Sequence, residues 1–246
     1  MFMKDYHVHI GQFNELYYDA LEIFDVIEST GLISEVHYSS TSTCRNDVEL
    51  IGIEEEIEYA QKYESNFLKV KPYLWYIPKY AEENISVQSA ISPFDYCGIK
   101  LHPFAHQWNF QDKKHIKQIE DIFLWAHENK KQILIHCADN QSCLPNKFEK
   151  YFKIFSGAKI ILAHSNPVFE TVQMVNKYDN VFCDTACINK ESFEQLKKEI
   201  NDTKKILFGS DFPINNYWNK LLFNKSRSLS KEYKETCAIL KNLNYE

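Results

Sequence analysis

Two histidines separated by a single residue stand near the start of the chain, in Asp5-Tyr6-His7-Val8-His9. Alternate residues of a strand point to the same side, so His7 and His9 share a face, their Cα atoms roughly 6.6 Å apart. That spacing lets two imidazoles converge on one metal ion. The pair gains weight from residues further along the chain. Proposed strands end near His37, in Lys100-Leu101-His102, in Ile135-His136-Cys137, in Ala163-His164-Ser165, in Asp184-Thr185 and in Ser210-Asp211-Phe212. Six of the nine histidines fall at these ends; His106, His115 and His127 lie in a loop or on helices.

Taken singly, each residue has a plainer use. His136 after an apolar run suits a hydrogen-bonded core histidine. Asp211 before Phe-Pro suits a turn or helix cap. Lys100 suits a solvated strand end. Gathered at one end of one sheet, they imply a metal site. Neutral imidazole and carboxylate suit zinc or a similar divalent ion. Such an ion keeps a position open for water and can lower that water's pKa to about 7. An unligated carboxylate or imidazole beside it can take the proton. Asp5 shares the strand parity of the two histidines and reads as a partner that orients one of them, or as a buried polar residue.

The elements that must place these residues are eight strand-plus-helix units. The strands are expected at Asp5–Ile10, Ile33–Ser39, Leu68–Tyr76, Tyr96–His102, Gln132–Cys137, Lys159–His164, Asn180–Thr185 and Lys205–Ser210. Helical spacing recurs between them: Leu16, Ala20, Ile23, Phe24 and Ile27; Ile116, Ile119, Ile122, Phe123 and Ala126; Val168, Val172 and Val175. The stretch from Lys79 to Asp95 carries the weakest pattern, and a last helix is expected through Tyr233, Ala238, Leu240 and Leu243. Alternating strand and helix argues for α/β. Eight units in 246 residues match a (β/α)8 TIM barrel, regular or distorted, as one domain over residues 1–246 with no accessory domain. An open doubly wound sheet is the alternative. No G-x-G-x-x-G and no phosphate-binding G-x-x-x-x-G-K-[ST] supports nucleotide binding.

The formal net charge is −6 and the pI about 5.9, which argues against non-specific nucleic-acid binding. Seven cysteines, with no C-x-x-C, read as reduced buried thiols. No charged segment followed by an apolar one opens the chain, and no apolar run approaches about 18 residues. A cytoplasmic protein acting on a small molecule is expected, with no nucleic acid or membrane as partner and a homo-oligomer left open.

The set Asp5-x-His7-x-His9, Gly98-Ile-Lys-Leu-His-Pro103, Ile135-His136-Cys137, Ala163-His164-Ser165, Asp184-Thr185 and Gly209-Ser-Asp-Phe-Pro213 resembles the amidohydrolase superfamily, in its branch of TIM-barrel metal-dependent hydrolases (amidohydrolase-2-like). The resemblance implies that His7, His9, His136 and Asp211 surround a principal metal. It also implies that His164 binds a second metal or moves a proton. Lys100 stands where some members carry a carboxylated, metal-bridging lysine. The implied cofactor is one or two divalent ions, zinc first and manganese second, with Asp211, His164 and Lys100 as the catalytic groups. His102, His37 and Arg45 are candidate substrate contacts, Arg45 as a bidentate grip on a carboxylate. Trp75, Tyr76, Phe104, Trp108 and Trp218 are candidates to wall a pocket.

The leading expected reaction is hydrolysis of an ester, lactone or amide by metal-activated water. Decarboxylation or other lyase chemistry is the alternative, followed by a non-catalytic metal-binding barrel. The TatD-like deoxyribonucleases share the H-x-H start but usually carry Glu at the end of strand four, where this chain has Lys100, and nuclease activity ranks low.

Overall fold

The structure is a computed structural model describing residues 3–44, 48–138, 140–223 and 228–242. Along the chain the strands are β1 (Met3–Phe13), β2 (Leu16–Tyr18), β3 (Ile33–Ser40), β4 (Lys69–Trp75), β5 (Gly98–Leu101), β6 (Gln132–His136), β7 (Lys159–Ala163), β8 (Val181–Asp184) and β9 (Ile206–Leu207). The helices are α1 (Ala20–Glu28), α2 (Leu50–Ala60), α3 (Lys79–Glu82), α4 (Val87–Ile91), α5 (Lys113–Asn129), α6 (Glu149–Ile154), α7 (Val168–Lys177), α8 (Lys190–Glu199), α9 (Ile214–Phe223) and α10 (Leu229–Thr236). The chain forms two compact units. The first contains the described residues up to Pro72 and those from Phe208 onward; the second is Tyr73–Leu207.

In the first unit β1 pairs parallel with β3, and β3 with the start of β4. Residues 208–212 run beside β1: Tyr6 N–H donates to the Phe208 carbonyl (2.9 Å), Asp211 N–H to that of His7 (2.8 Å) and His9 N–H to that of Phe212 (2.7 Å). These bonds bring Asp211 alongside the histidines of β1. In the second unit the end of β4, then β5, β6, β7, β8 and β9, pair parallel in chain order. Ile133, Leu134 and Ile135 of β6 and Ile160, Ile161 and Leu162 of β7 are fully buried. Strands covered on both faces require such unbroken apolar runs. Gly98 opens β5 because any Cβ there would strike the backbone carbonyl of Gln132.

The helices follow the expected stripes. In α1, Ile23, Phe24 and Ile27 are buried, and the Asp19 carboxylate accepts the N–H groups of Leu21 and Glu22. In α5 the buried stripe is Ile119, Ile122, Phe123 and Ala126. Asp112 caps its start, and Lys130, at φ 52°, ends it. Phe123 packs on Tyr151 with ring centroids 4.9 Å apart.

Two expectations change, and the weak pattern after Lys79 is matched by short helices. Leu16 belongs to a short strand, not to the first helix: β1 runs on through Gly11 (φ 86°) and turns at Asn14 (φ 50°), so Leu16–Tyr18 pair antiparallel with its end. Asp19 then starts the helix. The connection from Lys79 carries only two helices of four and five residues. The last helix stops at Thr236 and continues as a tighter 3-10 turn over Cys237–Asn242; Leu243 lies outside the described residues. All seven cysteines are free. No helix among the described residues is long and apolar enough to cross a membrane.

On β3, Glu35 accepts hydrogen bonds from His37 Nε2 (2.8 Å) and Lys4 Nζ (2.7 Å). The His37 bond, with help from Lys4, holds the Glu35 carboxyl down at about 2 against an ordinary 4.5. A depressed acid stabilises the fold above its unfolded pKa and loses that contribution as pH falls toward its folded one. Denaturant unfolding of wild type and Glu35→Gln from pH 7 to 2 is therefore expected to show the variant weaker above pH 4.5. The gap should close as the pH approaches 2. A pH-independent gap would contradict the assignment.

Candidate metal centre

In the first unit His7, His9 and Asp211 form a buried cluster, each less than a tenth exposed. His9 Nε2 lies 3.0 Å and His7 Nε2 3.3 Å from the same oxygen, Asp211 Oδ1. The three ligand atoms all lie within 4.8 Å of one another. Asp211 sits at φ 56°, the left-handed region that Asp tolerates better than most residues. It is held there by its N–H on the His7 carbonyl and by Ile214 N–H on its own carbonyl.

Asp5 organises this corner through the main chain. It is fully buried. Its Oδ1 accepts His7 N–H and Ser210 N–H, both at 3.1 Å, and its Oδ2 accepts the Tyr233 hydroxyl of α10 at 2.8 Å. Burial pushes its carboxyl up to about 7, against the pull of these donors. The expected support for a histidine is thus given to the backbone of His7 and to the residue before Asp211. His9 takes its ring support from Ser39, whose Oγ lies 3.2 Å from His9 Nδ1.

In the second unit the imidazoles of His136, at the end of β6, and His164, just after β7, meet at 3.1 Å (Nδ1 to Nε2). His164 Nδ1 faces the Ala186 carbonyl at 3.3 Å. A carbonyl only accepts, so a neutral His164 ring carries its hydrogen on Nδ1 and accepts from His136 Nδ1–H. That tautomer puts the His136 lone pair on Nε2. His164 stands at φ 65°; buried Asp184 fixes it by accepting its N–H (2.7 Å) and that of Ala186 (3.1 Å). Burial raises the Asp184 carboxyl, while His164 lowers it.

His102 stacks on His136 at 3.7 Å and 13°, and on Trp75 at 5.8 Å and 5°. Lys100 is buried on β5, its Nζ 5.9 Å from the Trp75 ring centre. A pocket of about 330 Å³ in this unit is lined by His136, His164, Asn166, Cys187 and Ser192 among others.

The chain is similar in structure to three enzymes. One is 5-carboxyvanillate decarboxylase from Sphingomonas paucimobilis, with TM-score 0.60 and 10% identity over 98% of this chain and 95% of that one. Another is a dihydroxybenzoic acid decarboxylase from a Polaromonas species, solved with manganese and the inhibitor 2-nitroresorcinol, with TM-score 0.54 and 10% identity over 99% of both chains. The third is an amidohydrolase from Mycobacterium avium subsp. paratuberculosis, with TM-score 0.53 and 13% identity over 92% of this chain and 70% of that one. The fold is that of the TIM-barrel amidohydrolases. No protein-family model and no curated protein matches the sequence.

On this amidohydrolase fold the sequence-assigned residues fall into two sets, His7, His9 and Asp211 in the first unit and His136 and His164 in the second. The first set fits a divalent ion by its donor chemistry: two imidazole nitrogens and one carboxylate oxygen, buried and convergent. His37 pairs with Glu35 on β3. Arg45 lies outside the described residues. Of the proposed aromatic wall, Trp75, Tyr76 and Trp108 are buried, whereas Phe104 and Trp218 are largely exposed. Sequence reasoning missed Ser39, Tyr233 and the role of Asp184. Ser39 alone had a signal: as the last residue of the expected second strand, it is the register partner of His9.

Proposed function

We propose that the chain is a metal-dependent lyase of the amidohydrolase type that removes the carboxyl group of a small aromatic acid. The observation that carries this reading is the buried convergence of His7, His9 and Asp211 on a fold shared with two aromatic-acid decarboxylases, one of them manganese-bound. These similarities favour the lyase over the hydrolase first expected from the sequence. Manganese or zinc would supply positive charge that holds the oxygens of the acid.

Loss of a carboxyl group breaks a carbon–carbon bond, releases CO2 and leaves a carbon that must take up a proton. The hydrogen-bonded pair His136–His164 holds such a proton between two nitrogens at 3.1 Å. The sequence resemblance implies that His136 lies at the principal ion and that His164 binds a second ion or moves a proton, and we take the second role for His164. Both assignments belong to the proposal, with zinc and manganese as its candidate ions.

Manganese- or zinc-loaded protein is to be incubated with hydroxybenzoates labelled with 13C in the carboxyl group. Labelled CO2 is expected from at least one of them, with His136→Ala and His164→Ala inactive. Hydrolysis of esters or lactones with no CO2 from any acid would transfer the proposal to hydrolysis.

A further inference from the structure

We propose that Ser39 is a positioning residue for His9, and that its hydroxyl reverses its hydrogen-bond direction when His9 takes a divalent ion. The inference rests on the reading that His9 Nε2 is a metal ligand.

A neutral imidazole has one N–H and one lone pair. Where His9 Nε2 faces Asp211 Oδ1 at 3.0 Å, a carboxylate that only accepts, the hydrogen is on Nε2. Nδ1 is then the acceptor, and Ser39 Oγ–H donates to it across 3.2 Å. With an ion as its partner, Nε2 must present its lone pair. Nε2 gives up its proton to solvent and Nδ1 takes one from solvent, so the ring keeps one hydrogen. Nδ1–H is now the donor, and the same Ser39 oxygen accepts it. A hydroxyl rotor serves both tautomers without movement of a heavy atom. A backbone carbonyl in its place would serve only the second, and an alanine neither. Ser39 is buried, so water is a poor substitute.

The surrounding residues commit Ser39 to this task. It opens a run of five hydroxyl residues, Ser39-Ser40-Thr41-Ser42-Thr43. The other four are engaged elsewhere. Ser40 and Ser42 donate to the Glu56 carboxylate of α2. Thr41 donates to the Ile10 carbonyl and Thr43 to that of Ser40, both at 2.8 Å. Ser42 Oγ also accepts Gln12 N–H at 2.8 Å. These bonds pin the ends of β1 and β3 together, and His9 and Ser39 are paired in their register.

The test is calorimetric titration of the full chain with MnCl2 and with ZnCl2, for wild type, Ser39→Ala, Ser39→Thr and Ser42→Ala. Loss of a hydrogen-bond partner behind a metal-ligating histidine typically weakens metal binding about 10–100-fold, and that loss is expected for Ser39→Ala. Ser39→Thr should stay near wild type, and Ser42→Ala should bind metal as wild type does. On 15N-labelled wild type, His9 Nδ1 should change from a lone-pair to an N–H nitrogen on metal addition. This second measurement needs no variant to fold. Metal binding by wild type with an unchanged constant in Ser39→Ala, or with no change at His9 Nδ1, would overturn the role of Ser39. Failure of wild type to bind either ion would instead overturn the metal reading on which it rests.

Discussion

Asp5→Ala is expected to lower the melting temperature of the metal-free protein by roughly 10 °C. The carboxylate is fully buried and accepts from three donors: His7 N–H, Ser210 N–H and the Tyr233 hydroxyl. Alanine leaves all three without an acceptor, at about 1–3 kcal/mol each. Relief of the cost of burying a carboxyl offsets part of this, which leaves a net loss of about 3–5 kcal/mol. For a chain of this size each kcal/mol moves the midpoint by about 2–4 °C. Tyr233→Phe removes one of the three donors and should cost only a fraction as much. Asp5→Asn, which keeps an oxygen for the two backbone donors, should lie between wild type and alanine. A scanning-calorimetry midpoint for Asp5→Ala within a degree or two of wild type would show that Asp5 does not hold this corner together.

The second large effect is expected at the cluster itself. Asp211 Oδ1 faces two imidazole nitrogens, at 3.0 and 3.3 Å. Asp211→Ala removes one of three ligand atoms together with the negative charge that offsets a dication. Changes in residues that only support a ligand already weaken metal binding about 10–100-fold, so loss of a ligand should exceed about 100-fold. His7→Ala should do the same. Equilibrium dialysis against limiting MnCl2, read by elemental analysis, is expected to find the wild type loaded and both variants close to background. Retention of metal by Asp211→Ala would remove that residue from the site. Because Asp211 also sits at φ 56°, where Asn is likewise tolerated, Asp211→Asn tests the lost charge with the backbone kept.

Much of this arrangement was legible in the chain because two simple periodicities carried it. Unbroken apolar runs such as Lys159-Ile-Ile-Leu-Ala marked strands buried on both faces, and β7 spans those five residues. The spacing of Ile119, Ile122, Phe123 and Ala126 marked the stripe that α5 buries. Chemistry at strand ends was legible for the same reason: a polar residue closing an apolar run stands out, as His136 and His164 do. What pattern could not reach was contact over long sequence separation. Tyr233 lies 228 residues from Asp5, and nothing local to either marks the other. Ser39 closed the expected second strand, but nothing in the sequence marked His9 as the residue it would face. Leu16 was misplaced because its spacing to Ala20 and Ile23 is helical, and only the break between β2 and the Asp19 cap separates strand from helix there.

The central claim, that His7, His9 and Asp211 hold a divalent ion, is tested most directly by anomalous diffraction from crystals grown with MnCl2. Data collected on both sides of the manganese edge should give a peak bonded to His7 Nε2, His9 Nε2 and a carboxylate oxygen of Asp211. Well-ordered side chains at these three positions with no anomalous signal among them, in crystals soaked to saturation, would contradict it.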